Sequence, residues 1–331
     1  MGWYSWWRQL LGGDTAGAGK GRPPEPDAEN TAEYKTPAAI ALDAGRHSLR
    51  VGVVTTTGNV REHNEDNFFV PGIHTAGTAA DRAPAVEIAG GGQILAKGNA
   101  DPASDGPAGL FLVADGMGGQ LAGEKASEMA VEIIPAELRR RLGGSEDDKT
   151  ILRAIRDGVA EANQEILAQS HLVTEYANMG TTVVLLLFRG DRAFVAGIGD
   201  SRAYRLREDR IERLTKDHSL ADALVGAGTI RPDEAENHKF KNVLYLYLGS
   251  KDARDGPEEI RSLDVRPGDR YLLASDGLTG VVRDDVITQM LREIEDPQQA
   301  AQALVNRALE NRSKDNITCV VIHVDGPDSP R

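Results

Sequence analysis

The sequence predicts an α+β protein in which antiparallel sheet is covered by helices packed outside it. Three observations carry that reading. Apolar runs of strand length outnumber helical stretches, many of those runs are separated only by short turns, and each helical stretch carries its apolar residues on one face. The 331 residues include 51 Asp or Glu against 38 Lys or Arg, a formal net charge of −13 that disfavours a nucleic-acid partner. One cysteine, Cys319, excludes an intrachain disulfide and a Cys-based zinc site, and fits a reducing cytosol.

Taken in order, residues 1–11 form a Trp-rich amphipathic segment. Trp3, Trp6, Trp7, Leu10 and Leu11 recur at i, i+3, i+4, i+7 and i+8, and no other tryptophan occurs in the chain. The segment is too short to span a bilayer. It reads either as a floppy terminus or a segment folded back on its own domain, or as a contact with a membrane headgroup region or a groove on a partner. Residues 12–45, rich in Gly, Ala, Pro, Glu and Asp, read as a disordered linker. The main domain is expected over 46–326, interrupted by an insertion at 72–107 whose two short apolar pieces, around Val86–Ile88 and Gln93–Leu95, fit a small hairpin. Strands are expected at Leu110–Ala114, Thr181–Phe188, Ala193–Ile198, Ala203–Leu206, Tyr271–Ala274 and Ile317–Val324. Helices are expected around Ala126–Ile134, Ile151–Ile166, Asp284–Ile294 and Gln298–Leu309. Residues 327–331 are a tail. No run approaches the roughly 18 apolar residues of a membrane span, and the N-terminus lacks the order of a secretory signal. The expected location is the cytoplasm, with membrane association through the Trp segment as its one variation.

The chemistry is written where strands end. Asp115-Gly116 closes LFLVADG, Asp276-Gly277 closes YLLASDG, Asp315-Asn316 opens ITCVVIHV, and Asp66-Asn67 opens FFV. Any one Asp-Gly is commonly a turn. Four carboxylates at strand ends together need compensation, which hard divalent cations such as Mg²⁺ or Mn²⁺ provide through oxygen ligands. Asp66, Asp115, Asp276 and Asp315 bring four negative charges and two dications bring four positive ones. Two such ions roughly 4 Å apart can bridge and activate one water. Arg61 adds a planar positive fork suited to a phosphoryl dianion, and Gly116, lacking a Cβ, lets its backbone carbonyl come close to a cation.

These residues resemble the PPM-type, or type 2C, metal-dependent protein serine/threonine phosphatases in their bacterial form. The matching pieces are R-E-H-N-E-D from Arg61, V-A-D-G-M-G-G from Val113, M-G-T-T from Met179, G-D-S-R-A-Y from Gly199, L-T-K-D-H-S-L from Leu214, L-A-S-D-G-L from Leu273 and D-N-I-T from Asp315. The resemblance implies an α-β-β-α sandwich of two antiparallel sheets flanked by helices. It implies hydrolysis of phosphoserine and phosphothreonine in proteins by a water bridging two divalent cations, Mn²⁺ or Mg²⁺. Asp66, Asp115, Asp276, Asp315 and the Gly116 carbonyl would hold the metals, Arg61 would bind phosphate, and Arg61, Asp66 and Asp276 would carry catalysis. Glu65 and Asp200 would order waters and loops around the ligands. Partners would be phosphorylated proteins, in the setting of a Ser/Thr protein kinase whose signal is reversed.

Some positions depart from the family pattern. Met117 stands where many eukaryotic relatives carry a His proposed as general acid, and His63 reads as a solvated loop residue. Thr56 replaces an Asp frequent in bacterial relatives, a structural change. Asn178 stands where some relatives have an acidic residue associated with a third metal, which leaves the resemblance silent on a third site here. YLYLG at Tyr245–Gly249 replaces T-R-A-L-G beside a segment, Gly226–Asn242, expected to shape the substrate cleft. Ser201 reads as a turn residue rather than a nucleophile, His218 as a structural hydrogen-bonding group and Asp217 as a turn residue. The alternative function is a catalytically silent phosphoprotein-binding module of the same fold. Loss of a ligand Asp would mark it, and none is lost.

Overall fold

The computed structural model describes residues 40–43, 47–71, 73–74, 86–89, 93–96, 107, 109–143, 147–235 and 237–326. The strands and helices follow in the order β1 (Ile40–Asp43), β2 (Ser48–Thr56), β3 (Asp66–Val70), β4 (Ile73–His74), β5 (Val86–Ala89), β6 (Gln93–Ala96) and β7 (Leu110–Met117). Then come α1 (Gln120–Arg141), α2 (Asp148–Leu172), β8 (Gly180–Thr181), β9 (Val183–Arg189), β10 (Arg192–Ile198), β11 (Arg202–Arg207), β12 (Arg210–Arg213), α3 (Leu220–Gly226) and α4 (Pro232–Ala235). The chain closes with β13 (Ile260–Asp264), β14 (Arg270–Ala274), α5 (Asp276–Thr279), α6 (Asp284–Glu293), α7 (Pro297–Glu310) and β15 (Ile317–Asp325).

Two antiparallel sheets result. One runs β1-β2-β15-β14-β11-β12 and the other β13-β10-β9-β7-β3-β4, with β8 alongside β7. Period-2 alternation decides which residues meet in the middle. Phe68, Val70, Phe111 and Val113 of one sheet face Tyr271, Leu273, Val320 and Ile322 of the other in a common core. Their neighbours point outward: Phe69, Leu110 and Leu112 pack under α1 and α2, and Leu272, Cys319 and Val321 under α6 and α7. An edge-to-face contact between Phe188 and Tyr271 at 5.3 Å ties the sheets together, and Phe111 packs edge-on against Phe188 at 5.9 Å within its own sheet. This is the α-β-β-α sandwich.

The helices start where the sequence supplies caps. The Asp147 carboxylate accepts from the Thr150 amide at 2.7 Å, Ser219 from Asp222 at 3.1 Å, and Asp296 from Gln299 at 2.8 Å, with Pro297 opening α7.

Two expected boundaries shift. The linker drawn to residue 45 is shorter, because Ile40–Asp43 pairs with Ser48–Val51 and covers part of the outer edge of β2. The insertion drawn from residue 72 begins later, because Ile73–His74 pairs with Phe69 and Val70. Within the insertion, β5 and β6 form the expected antiparallel hairpin. The Trp segment, the bulk of the linker and the tail lie outside the described residues.

Beyond Val51, β1 no longer covers β2, and a side chain takes over. Gln298 of α7 donates to the Val53 carbonyl at 3.1 Å and accepts from the Val53 amide at 2.9 Å, both in buried surroundings. Replacing Gln298 by Leu strands two buried backbone groups. It should lower unfolding free energy by about 2–4 kcal/mol, read as an earlier denaturation midpoint at unchanged slope.

Candidate metal centre and active site

The topology brings all four aspartates to one end of the sandwich. Asp66 opens β3 directly opposite Asp115 in β7. Asp276 follows β14 at the first position of α5, and Asp315 precedes β15. The glycines that follow two of them explain how the backbones come so close. A Cβ at Gly116 would collide with the carbonyls of Gly123 and Glu65, and one at Gly277 with the carbonyl of Asn316. Each Asp-Gly is therefore a contact point, Gly116 with the residue before Asp66 and Gly277 with the residue after Asp315. Neither is a simple turn.

Asp66 is the most tightly held. It is 4 % exposed, and its Oδ2 accepts from Ser275 Oγ at 2.8 Å and Thr318 Oγ1 at 2.7 Å. Because Thr318 spends its proton on Asp66, the 2.7 Å contact between Thr55 and Thr318 must have Thr55 as donor, and Thr55 in turn accepts from Asn64 Nδ2 at 2.8 Å. A directional relay thus runs Asn64, Thr55, Thr318, Asp66. Asp66 Oδ1, by contrast, is buried and has no hydrogen-bond partner.

The threonines of M-G-T-T hold the other strand. Thr182 accepts from the Asp115 amide at 3.1 Å and donates its own amide to the Asp115 carbonyl at 2.8 Å, which also accepts from Thr181 Oγ1 at 2.9 Å. Ser201 of G-D-S-R touches Thr182 Oγ1 at 2.7 Å in the bend between β10 and β11, in keeping with a turn rather than a nucleophile. Asn316 fixes the loop carrying Arg61: it accepts from the Glu65 amide at 2.9 Å and donates to the carbonyls of His63 and Thr57 at 2.9 and 3.2 Å. Arg61 Nη2 meets Asp315 Oδ2 at 2.8 Å and remains about half exposed. The roles of Ser275, Thr318, Asn316 and Thr182 were not read from the sequence. Ser275 and Asn316 did carry a signal, each adjoining a strand-end Asp, whereas Thr182 and Thr318 stand in the quoted motifs without such a neighbour.

A cavity of about 330 Å³ opens over this cluster, lined by Arg61, Glu65, Asp115, Gly116, Asp276 and Asp315 together with Asp200, Met117, Asn242 and Leu244. Burial and mutual repulsion push its acids upward. Desolvation and then Asp276 and Asp315 raise Asp66 to about 7, against the pull of Thr318 and Ser275. Desolvation and Asp315 raise Asp276 to about 6, and desolvation and Asp276 raise Asp200 to about 8. Asp115 lies well above the usual carboxylate range, from desolvation and then Asp66 and Asp276. A buried carboxylate oxygen without a donor, beside acids raised by burial and mutual repulsion, is the environment a hard cation relieves. Among the described residues no three acidic, His or Cys side chains close into a ready-made cage. The donor set therefore fits ions that keep much of their water, as Mg²⁺ and Mn²⁺ do.

The other sequence-marked residues fall around this centre. Glu65 is buried against Gly123, its carboxyl raised by desolvation. His63 is exposed. Thr56 Oγ1 accepts from the Gly58 amide at 3.2 Å, a turn contact. Asn178 sits at φ 63°, the left-handed region that Asn tolerates, and takes no place in the cavity wall. His218 Nδ1 accepts from the Gly199 amide at 3.0 Å, so it is a neutral structural imidazole, and burial lowers its pKa. Asp217 is more than a turn residue: nearly buried, it binds the Arg202 guanidinium at 2.7 and 3.1 Å and also meets Arg213, because the largely buried Arg202 guanidinium needs a counter-charge.

The family model described as Protein phosphatase 2C matches residues 102–316. A serine/threonine phosphatase of Listeria monocytogenes, stp, is 31% identical over 275 residues, covering 82% of this chain and 94% of that protein. The chain belongs to the protein phosphatase 2C family. The Mycobacterium tuberculosis serine/threonine protein phosphatase PstP is 34% identical over 215 residues, 65% of this chain, and the chain spans only 40% of PstP's length. The crystal structure of the PstP catalytic domain in complex with two manganese ions superimposes with a TM-score of 0.62 at 31% identity, covering 84% of this chain and 98% of that one.

Protons trapped by the acidic cluster make metal-free stability depend on pH. The folded protein holds protons that the unfolded chain releases near the ordinary carboxylate pKa of 3.8, so these groups favour folding less as pH rises through about 6 to 7. In EDTA, Asp115→Asn should therefore melt above the unsubstituted protein, by a margin that widens between about pH 5 and pH 8. Excess Mn²⁺ should stabilise the unsubstituted protein and leave the variant nearly unmoved. Parallel thermal melts across pH, with and without metal, measure both effects.

Proposed function

We propose that this chain hydrolyses phosphoserine and phosphothreonine monoesters in proteins with the help of two divalent cations, reversing the action of Ser/Thr kinases. The observation that carries the reading is the convergence of Asp115, Asp276 and Asp315 beside Arg61 at one cavity, with Asp66 directly opposite Asp115 in the sheet and its Oδ1 left without a donor. The two manganese ions of the PstP catalytic domain support the choice of cation. Asp66, Asp115, Asp276, Asp315 and the Gly116 carbonyl would hold the metals. Bound there, they supply Lewis-acid stabilisation of the phosphoryl oxygens and activate the attacking water.

The remaining work falls to the chain. Ser275 and Thr318 hold the Asp66 carboxylate in one orientation, so its free oxygen is presented without rotamer loss. Arg61 stands at the rim with N–H donors beyond the one given to Asp315, and a phosphoryl dianion can compete for that guanidinium. Met117 has no proton to give, and His63 does not line the cavity. Protonation of the leaving alkoxide therefore relies on no imidazole here.

A phosphothreonine peptide should be turned over with Mn²⁺ or Mg²⁺ and not with EDTA. Asp276→Asn should lower kcat by about a hundredfold or more, and Arg61→Ala should chiefly raise KM. If neither a phosphopeptide nor an aryl phosphate is hydrolysed with any metal, the enzyme reading fails and the silent binding module replaces it.

For the N-terminus, a headgroup contact through Trp3, Trp6 and Trp7 is the finer proposal. Since these are the chain's only tryptophans, their emission should shift blue on adding phospholipid vesicles, and an unchanged spectrum would count against it.

A further inference from the structure

Six large hydrophobic side chains are exposed among the described residues: Val60, Leu121, Leu172, Phe240, Val243 and Tyr245. Their distribution is uneven. Val60, 62 % exposed, precedes Arg61; Leu121, 65 % exposed, lies two residues past Gly119; Val243 stands between Asn242 and Leu244, with Tyr245 next and Phe240 two residues before Asn242. Arg61, Gly119, Asn242 and Leu244 all line the acidic cavity. Val60, Leu121, Phe240 and Val243 thus lie within two residues in sequence of a residue in the wall of this cavity, whereas Tyr245 lines a separate cavity with His218. Scattered single apolar residues need no explanation, but a set gathered around one mouth does.

The rim is also held in shape. The Val243 amide donates to the Phe240 carbonyl at 3.2 Å, the Leu220 amide to the Val243 carbonyl at 2.8 Å, and the Tyr245 amide to the His218 carbonyl at 2.9 Å. The Tyr245 ring packs edge-on against His218 at 5.7 Å, and Lys239 lies 4.8 Å from the Phe240 ring centre. These apolar groups are displayed by a braced segment, which lowers the ordering cost of binding to them.

We infer that this rim reads the substrate's own polypeptide, selecting phosphoserine or phosphothreonine flanked by large apolar side chains. The inference rests on the phosphatase reading and refines it. Geometry supplies the occupant: when a phosphorylated side chain enters the cavity, the residues on either side of it have to lie on the mouth, and successive residues of an extended chain advance by only about 3.3 Å. Apolar neighbours would cover Phe240 and Val243 and gain from leaving water. Glycine or serine neighbours would not. Lys239 and Lys241 adjoin Phe240 in sequence, so acidic neighbours are the competing recognition mode that the test must separate.

The test is a panel of phosphothreonine peptides identical except at the flanking positions, which carry Leu, Gly or Asp, assayed with Mn²⁺ at fixed ionic strength. The Leu peptide should exceed the Gly peptide in kcat/KM by about tenfold or more, the scale of one apolar contact. In the double variant Phe240→Ser, Val243→Ser that ratio should fall towards unity, mainly through KM. A thermal melt shows whether the variant is folded; if it is not, the single substitution Val243→Ser is read in the same way, with a partial loss of the ratio expected. Equal rates for Leu and Gly peptides, a preference for Asp, or a Leu-to-Gly ratio unchanged in a folded variant would each overturn the inference while leaving the phosphatase reading intact. Hydrolysis of no peptide and no aryl phosphate would instead remove the phosphatase reading itself.

Discussion

The Asp66 carboxylate, held by Ser275 and Thr318, is the interaction on which the site depends. Asp66 opens a strand of one sheet, whereas Ser275 and Thr318 belong to the strand ends of the other. The two hydroxyls therefore fasten the sheets together at the end where the aspartates gather. The same Ser275 hydroxyl accepts from the Thr318 amide at 3.0 Å, and the Ser275 amide donates to the Thr318 carbonyl at 3.1 Å, so the clamp is part of the β14–β15 ladder's own continuation. A carboxylate taken from water costs several kcal/mol even after relaxation. Two charge-relevant hydrogen bonds offset only part of that, and they satisfy only one of its two oxygens.

That shortfall runs through the whole cluster. Asp115 has its backbone fully secured by Thr181 and Thr182, yet its side chain is pushed well above the usual carboxylate range by burial and then by Asp66 and Asp276. Asp315 has Arg61, but on the exposed side. The fold fixes where the acids stand and leaves their charge uncompensated, the opposite of how it treats Asp217, which receives two arginines. The contrast fits the proposed roles: Asp217 is neutralised by the chain, whereas Asp66, Asp115 and Asp276 are not.

Much of this was legible from sequence because strand-end carboxylates interrupt otherwise apolar runs, and alternation places Phe68, Phe111 and Leu273 on the inner face while Phe69, Leu112 and Leu272 face the helices. The elements that escaped have weaker patterns for a physical reason. β12 and β13, Arg-Ile-Glu-Arg and Ile-Arg-Ser-Leu-Asp, lie at sheet edges and are only half buried, so charged residues replace the apolar alternation that marks a strand. β2 lost its signal to the Gly52 and Thr55–Thr57 around its valines. Asp217 looked like a turn because its partners, Arg202 and Arg213, reach it from different strands. Gly116 was given a metal-facing purpose and Gly277 none, whereas both are also required by close contacts with backbone carbonyls, Gly123 and Glu65 for the first and Asn316 for the second.

The site is built from two parts with different obligations. Its acidic floor comes from four strands whose positions are fixed by both sheets, so a shift in any one would disturb the core. Its mouth comes partly from residues 218–248, where short helices and turns attach through a few backbone bonds, including the Ser219–Leu244 and Thr181–Leu248 bridges. A second, larger cavity of about 580 Å³ lies where His218 and Tyr245 form part of the wall, and it contains none of the four aspartates. Volume and uncompensated charge therefore point to different cavities. Changes such as YLYLG in the mouth leave the clamp on Asp66 untouched. Such a division lets recognition vary while the reaction centre stays the same.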